Sequence, residues 1–418
     1  MIRLRVWANL RPMGWFGHAG ANYFFEYDTQ WLADDAAYPL APQFALQPQT
    51  YAGETVKIFF SNLLPEGVPL EEILNAMQWR DANAFDVIGS LGAELPGVLS
   101  VLPEGETPVA LQDYVALSLH TLSQRIQARA QHKPLLLSNA QSRMSLAGAQ
   151  DKMGLRYDAK RQLLYESMGS SPSTHIAKPD SRLANYKPSA VNEFACMRLA
   201  KAMKLPVPPV SLLKVPESVL IVQRYDRVSI SGNIVCLHQV DGCQLLGVGA
   251  DWKYERQGGL VSLKKLIQLL RGLNLSGKDM LNVQRWVMFN YLIGNSDAHA
   301  KNISVMINDK GYVLAPFYDL LSVQAYGDNS LALFIGDEDS YASVGAHSWQ
   351  AFCEDCGFGF KPAMALFRKM ALDIPKAWAS VEQQIKTEHP LSADEIDLLA
   401  SVKSVIEGNC QAALSMTG

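Results

Sequence analysis

The chain opens on an alternation: Ile2, Leu4, Val6 and Ala8 are apolar, with Arg3, Arg5 and Trp7 between them. A two-residue period belongs to a strand with one buried face. Residues 21–27 form a second strand candidate, residues 71–78 and 84–90 carry helical spacing, and residues 97–102 read as a strand. The Pro/Gly/Glu-rich stretch at 103–108 is the clearest boundary in this part of the chain. Beyond it, residues 111–131 read as a helix. Residues 153–157 and 162–166 flank a turn-like Asp158-Ala159-Lys160-Arg161 and predict a hairpin. Residues 174–178 suit a short strand stopped by Pro179. A helix is expected over 189–204, with Ser189 capping the amides near Val191 and Asn192. LPVPPV at 205–210 ends it, because proline cannot continue the helical hydrogen bonding. Strands follow at 210–214 and 219–224.

From about residue 240 helical periods take over, at 260–270, 277–293, 351–369 with a break around 357–362, 376–385 and 393–409. One strand, 303–307, and a turn at Asn308-Asp309-Lys310-Gly311 interrupt them. A strand-rich part before a helix-rich part predicts an α+β protein with the bilobal layout of a nucleotide-dependent kinase. Three parts are expected: a small mixed N-terminal subdomain over 1–107, a strand-rich lobe over 108–225, and a mainly helical lobe over 226–418.

Composition narrows the class. With 418 residues, 48% hydrophobic and 19% charged, the chain has apolar material for more than one core. Its formal net charge of −4 disfavours nucleic-acid binding through the surface as a whole. No stretch is long and apolar enough for a transmembrane helix. Arg3, Arg5 and Arg11 interrupt what a secretory signal would need as an apolar core, so a cytoplasmic protein is expected. The 6 cysteines are sparse and irregularly spaced, which argues against a disulfide scaffold. Cys353 and Cys356 form a C-x-x-C, but no second pair completes a zinc set.

The strongest chemical signal is GNSDAHAKN at 294–302, directly after the apolar RWVMFNYLIG. Asp297 and Asn302 have the D-x-x-x-x-N spacing of a kinase catalytic loop, in which the Asp receives the acceptor's proton and the Asn helps hold Mg²⁺. Asp319, in APFYDLLS, stands where a kinase carries its second metal-binding carboxylate. Hard oxygen donors of this kind suit Mg²⁺. Turn capping by Asp297 and Asn302, and helix capping at Leu320 by Asp319, are the structural alternatives. Lys178 at a strand end and Glu193 in the next helix fit the lysine–glutamate pair that fixes ATP phosphates, or a strand end and a helix-dipole acid. Ser145-Leu-Ala-Gly-Ala-Gln-Asp-Lys152 reads as a phosphate loop or as a surface turn. Gly148 permits close backbone approach there. Gln223-Arg224-Tyr225-Asp226-Arg227 lies where an interlobe hinge would meet adenine and ribose, and equally suits a strand end with a charge pair. His299 draws notice because it lies inside the Asp297–Asn302 loop.

Taken in order, SLAGAQDK (145–152), THIAKP (174–179), the NEF helix start (192–194), QRYDR (223–227), NSDAHAKN (295–302) and APFYDLLS (315–322) resemble the HipA-type kinases of bacterial toxin–antitoxin systems. FFSNLLPEG (59–67) and IGSLGAELPGVLSVLPEGE (88–106) resemble the subdomain that precedes the kinase in that family, so the likeness spans essentially the whole chain. The resemblance implies a HipA-like bilobal fold and an ATP- and Mg²⁺-dependent serine/threonine protein kinase. Asp297 is then the catalytic base, His299 a neighbour of the phosphates, and Asn302 and Asp319 the metal ligands. Lys178 holds ATP phosphates, while Gln223, Tyr225 and Asp226 line the adenine and ribose site. Members often carry Glu at the position of Gln223. Gly148, Gln150 and Lys152 belong to the phosphate loop, and Ser145 is the serine whose autophosphorylation expels the loop, with Ser142 a rival acceptor. It further implies an aminoacyl-tRNA synthetase as target, a helix-turn-helix antitoxin of the HipB type as partner, and contact with DNA through that antitoxin alone. A small-molecule phosphotransferase and a catalytically silent corepressor are the alternative readings.

Overall fold

The computed structural model describes residues 2–79, 82–109, 111–135 and 143–417. Packing divides the chain into two units, one of Met1–Pro179, Leu213–Val240 and Val305–Tyr312, the other of Asp180–Leu212, Asp241–Ser304 and Val313–Gly418. This differs from the three consecutive parts expected from sequence order. The helix Ser189–Ala202 explains much of the difference. It is buried on nearly every side and packs against the helices Phe360–Glu388 and Ala393–Met416 of the second unit.

In the first unit, an antiparallel sheet runs Thr50–Ala52, Asn22–Tyr27, Arg11–Ala19, Ile2–Ala8, Leu99–Pro103. The alternation read from the first residues is real: Leu4, Val6 and Ala8 are buried. The helices Glu54–Ser61, Gly67–Ala76 and Ala84–Leu91 belong to the same unit. A second antiparallel run joins Ser218–Gln223, His175–Pro179, Met153–Asp158, Leu163–Ser167 and Tyr114–Leu117. Residues 114–117 were expected inside a helix. They instead pair with Leu163–Ser167, and the helix begins at Leu119, where Ser118 accepts the Thr121 N–H as its cap.

In the second unit the helix Gly277–Ile293 has the predicted bounds. Ser276 caps its start by accepting from Asp279 N, and Gly294, at φ 72°, stops it. A Cβ on Gly294 would come within 2.5 Å of Val405, so this left-handed, crowded turn requires glycine. The two helices expected at 351–369 and 376–385 are arranged differently. The first, Ala346–Cys356, ends at Gly357, and Phe360–Glu388 then runs unbroken through Pro375. The helix Ser189–Ala202 is not capped by Ser189. Asp180 Oδ1 accepts from Ala190 N at 2.8 Å, while Ser189 Oγ accepts from Ser181 N. Cys353 and Cys356 are buried thiols, and burial pushes them up to about 11 and about 12. Among the described residues no helix is long and apolar enough to cross a membrane.

A buried charge cluster joins distant segments of the first unit. Arg224 contacts Asp226 at 2.8 Å and Glu94 at 3.0 Å, and Arg227 contacts the same two carboxylates at 2.9 and 3.1 Å. Both arginines and Asp226 are buried, whereas Gln223 at the start of the QRYDR segment is exposed. Burial pushes the Asp226 carboxyl upward, but Arg224 and Arg227 outweigh it and hold the group at about 2. Asp226→Ala leaves two buried guanidinium groups short of a counter-charge, and a loss of roughly 3–5 kcal/mol is expected, read as a lower urea midpoint. Because the folded-state value is depressed, the contribution of Asp226 is complete above the usual aspartate value of 3.8 and disappears as pH falls towards 2. An acid-unfolding profile of Asp226→Asn should lack that component, and a profile superimposable on the wild type would contradict the assignment.

Candidate active site

The loop after the helix Gly277–Ile293 is organised by the asparagine that opens the NSDAHAKN segment, a residue given no role from the sequence. Asn295 Nδ2 donates to Asn290 Oδ1 at 2.8 Å and to the Asp319 carbonyl at 3.3 Å. Its Oδ1 accepts from Asp297 N at 3.2 Å. A single buried amide therefore ties the backbone of Asp297 to that of Asp319. The loop then closes on itself: His299 N and Asn302 Nδ2 both donate to the Asp297 carbonyl, at 2.8 and 2.9 Å, and Asn302 N donates to the His299 carbonyl. The alternative in which Asp297 and Asn302 cap turns thus describes part of their local bonding, through backbone groups and the Asn302 amide nitrogen. It makes no use of the Asp297 carboxylate, whose Oδ1 accepts from the Tyr254 hydroxyl, or of the Asn302 amide oxygen.

Lys301, in the same loop, pairs with Asp241 at 3.1 Å with both side chains largely buried. Asp241 in turn accepts from Gln244 N as cap of the helix Gly242–Leu246. The loop lies tight against that helix, where a Cβ on Gly242 would come 2.3 Å from the Ala300 carbonyl oxygen and only glycine fits. His299 is buried and meets the ring of Tyr254 edge-on.

The Asp319 segment is clamped along its length. Ala315 N donates to Ser304 O, Phe317 N to Pro206 O, and Gln324 N to Gly294 O. Asn192 makes a reciprocal pair with Ser322, donating to its carbonyl and accepting from its N–H at 2.9 and 2.8 Å. No helix starts at Leu320. Asp319 sits at φ 59°, a left-handed conformation that costs a non-glycine residue about 1–2 kcal/mol and is tolerated where surrounding bonds impose it. The donors fit a hard cation: the Asn302 amide nitrogen is used on Asp297, which turns its Oδ1 the other way, and Asp319 supplies a carboxylate.

In the first unit, Lys178 is buried in the strand His175–Pro179, opposite Leu220. Glu193 is buried in the second unit, in the helix Ser189–Ala202. Gln223 ends its strand and is exposed, and Tyr225 donates from its hydroxyl to Gln239. Asp226, expected at a ribose, is occupied elsewhere. Its carboxylate is committed to Arg224, Arg227 and the Gly97 N–H inside the charge cluster. A ribose contact would have to break buried ion pairs, so the ribose assignment is withdrawn.

The phosphate-loop candidate is held folded within this unit. Ser145 is fully buried, its Oγ donating to Leu63 O at 3.0 Å and its N–H to Glu94 O at 2.9 Å. Glu66 N donates to the Gly148 carbonyl, Gly148 takes φ 105°, and Lys152 Nζ donates to Ala147 O at 2.7 Å. Gly148, Gln150 and Lys152 line a small cleft with Pro65 and Glu72. Ser142 lies outside the described residues.

Comparisons with known proteins place the chain in a family. The family profile described as the HipA N-terminal domain matches residues 4–102, and that of the HipA-like C-terminal domain matches residues 144–378. The serine/threonine-protein kinase toxin HipA of Shewanella oneidensis is 30% identical, covering 95% of this chain and 92% of that protein. A putative kinase of Sinorhizobium fredii, Y4mE, is 34% identical over 85% of this chain and 86% of its own length. The structure superposes on Shewanella oneidensis HipA, solved with HipB and its operator DNA, with a TM-score of 0.86 and 28% identity, over 99% of this chain and 98% of that one. Two family domains in order, similarity over nearly the full length and a common α+β fold lead to one conclusion: the chain belongs to the HipA family of serine/threonine kinase toxins.

Proposed function

We propose that the chain transfers the γ-phosphoryl group of ATP to a serine or threonine hydroxyl of a protein, as the toxin of a toxin–antitoxin pair in the cytoplasm. The observation that carries the reading is the Asn295 tie, which joins the Asp297 loop to Asp319 through one rigid amide. Phosphoryl transfer needs little covalent help from a protein and depends on positioning and charge stabilisation, so a rigid frame around two carboxylates is what the chemistry asks for. Bound Mg²⁺ supplies charge neutralisation at the phosphate oxygens, and Asn302 and Asp319 are the side chains that hold it. Asp297 accepts the proton of the attacking hydroxyl. Lys178 and His299 meet phosphate oxygens, and the backbone around Gly148, with Gln150 and Lys152, cradles the triphosphate. Gln223 and Tyr225 flank the base. The partner is a helix-turn-helix antitoxin of the HipB type, in keeping with the HipA–HipB–operator complex of the Shewanella relative, and DNA is met through it. The target class is an aminoacyl-tRNA synthetase, whose modification would halt growth.

Three experiments bear on this reading. Asp297→Asn preserves shape and cannot accept a proton, so the transfer rate should fall roughly 10²–10⁴-fold with ATP affinity retained. Growth arrest by that variant at wild-type protein level would place toxicity in binding rather than catalysis. Asp319→Ala should lose Mg²⁺-dependent ATP binding, measured by calorimetry with and without the metal, because Asn302 and water alone poorly replace a carboxylate on an ion that dehydrates reluctantly. Equal binding in both conditions would remove the metal assignment. Finally, Ser145 should carry phosphate after incubation with ATP, and the modified form should bind ATP weakly. A buried hydroxyl has no room for a group of about −1.5 to −2 charges, so the loop must leave its place. Phosphopeptide mapping that finds the group elsewhere, Ser142 included, would refute the switch at Ser145. Mass spectrometry of cells expressing wild type or Asp297→Asn would identify the target.

A further inference from the structure

A segment outside every motif quoted from the sequence reaches the same carboxylate. Tyr254 donates from its hydroxyl to Asp297 Oδ1 at 2.6 Å. Its ring meets His299 edge-on, with centroids 5.2 Å apart and planes at 83°. The segment that carries it is fastened on both sides. Ala300 N donates to the Lys253 carbonyl at 3.2 Å, which binds the segment to the catalytic loop. On the other side, Glu255 N donates to Ala332 O at 2.9 Å and Glu255 Oε2 accepts from Phe334 N at 2.7 Å, within the strand Ser330–Ile335. Arg256 lies over the tyrosine ring at 5.2 Å. The phenol is delivered by a braced stretch of backbone and does not reach Asp297 by chance rotation of a surface side chain.

A carboxylate that serves as a base has to offer one lone pair in a fixed direction. The terminal torsion of aspartate is broad, so an unsupported Asp297 would sample many directions. A hydrogen bond from a neutral phenol to an ionised oxygen is of the stronger kind and fixes the plane of the group. The geometry points to Tyr254 as a positioning residue for phosphoryl transfer: its hydroxyl holds Oδ1 of Asp297 so that Oδ2 faces the acceptor hydroxyl. This rests on the kinase reading above. In the step itself the acceptor O–H bond breaks and its proton passes to Oδ2, the acceptor oxygen bonds to the γ-phosphorus, and the bond from that phosphorus to the bridging oxygen breaks. ADP departs with that electron pair. Tyr254 keeps its own proton throughout.

Tyr254→Phe removes the donor and retains the ring against His299. ADP release is measured from the full chain with ATP and Mg²⁺, with water or the chain itself as acceptor. The expected result is a kcat lowered roughly ten- to hundredfold, an unchanged KM for ATP and an unchanged melting temperature. Because the hydroxyl acts through Asp297, adding Tyr254→Phe to Asp297→Asn should slow the enzyme no further. A wild-type rate in Tyr254→Phe, a full additive loss in the double variant, or a fall in melting temperature that accounts for the lost rate would each overturn the role of Tyr254 while leaving the kinase reading in place. A wild type that releases no ADP would instead overturn the kinase reading, and the positioning role with it.

Discussion

The amide of Asn295 is the bond on which the second unit's chemistry depends. It is a short, buried side chain that bonds the end of its own helix, the Asp297 amide and the Asp319 carbonyl at once. Buried polar groups are costly unless satisfied, and a network with every member satisfied has one arrangement. The helix Gly277–Ile293 gives that network a rigid base, and Gly294 gives it the sharp exit that puts Asn295 back over the helix end. From there the constraint spreads outward. Asp319 is held in a left-handed conformation it would not choose, and Asn192 holds the same segment three residues on.

The first unit is organised by another kind of constraint. Glu94, Arg224, Asp226 and Arg227 form a buried ionic cluster, and Glu94 also accepts from Ser173 through N–H and hydroxyl at 2.8 and 2.7 Å. Buried ion pairs are weak evidence for net stability, because desolvation offsets much of their attraction, but breaking one is expensive. The cluster joins the end of the Ser218–Gln223 strand, the Gly97 turn and the backbone around Glu94, and Ser145 hangs from the Glu94 carbonyl.

Legibility followed the range of the interactions. The helix Gly277–Ile293 was readable to its ends because a serine cap, an apolar run and a terminal glycine are all local. The first strand was readable because alternation is local too. The strand Tyr114–Leu117 was not, since its pairing partner lies some fifty residues on, and a helical reading of 111–131 satisfied the local pattern equally. The stretch around Pro375 reads locally as a gap between helices, yet the surrounding packing carries one helix through it. In the site, Asp297, Asn302 and Asp319 came from spacing and family likeness. The roles of Asn295, although it opens the NSDAHAKN segment, and of Tyr254 did not, because an asparagine after a helix-ending glycine and a tyrosine in an unremarkable loop show no bonding until the chain folds. The ribose assignment of Asp226 failed for the same reason: Glu94 and Gly97, which claim its neighbours and its carboxylate, are far away in sequence.

The two kinds of tie also differ in how easily they yield, and that contrast has a consequence for regulation on the proposed reading. The Asp297 and Asp319 segments are held by side-chain amides that bond several backbone groups each, so removing any one bond leaves the others in place. The stretch around Ser145 and Gly148 is held to Leu63, Glu66 and Glu94 by single bonds to or from backbone. Each such bond contributes only about 0.5–1.5 kcal/mol net. Burying a doubly charged phosphate at a position with no exposed surface carries a desolvation penalty of several kcal/mol per charge. On the proposed reading that penalty works against the bonds that hold the segment, and the loop is the part expected to move. On that reading, the frame that would have to stay rigid for catalysis is built from shared side-chain clamps, whereas the segment that would have to be released is tied by single bonds.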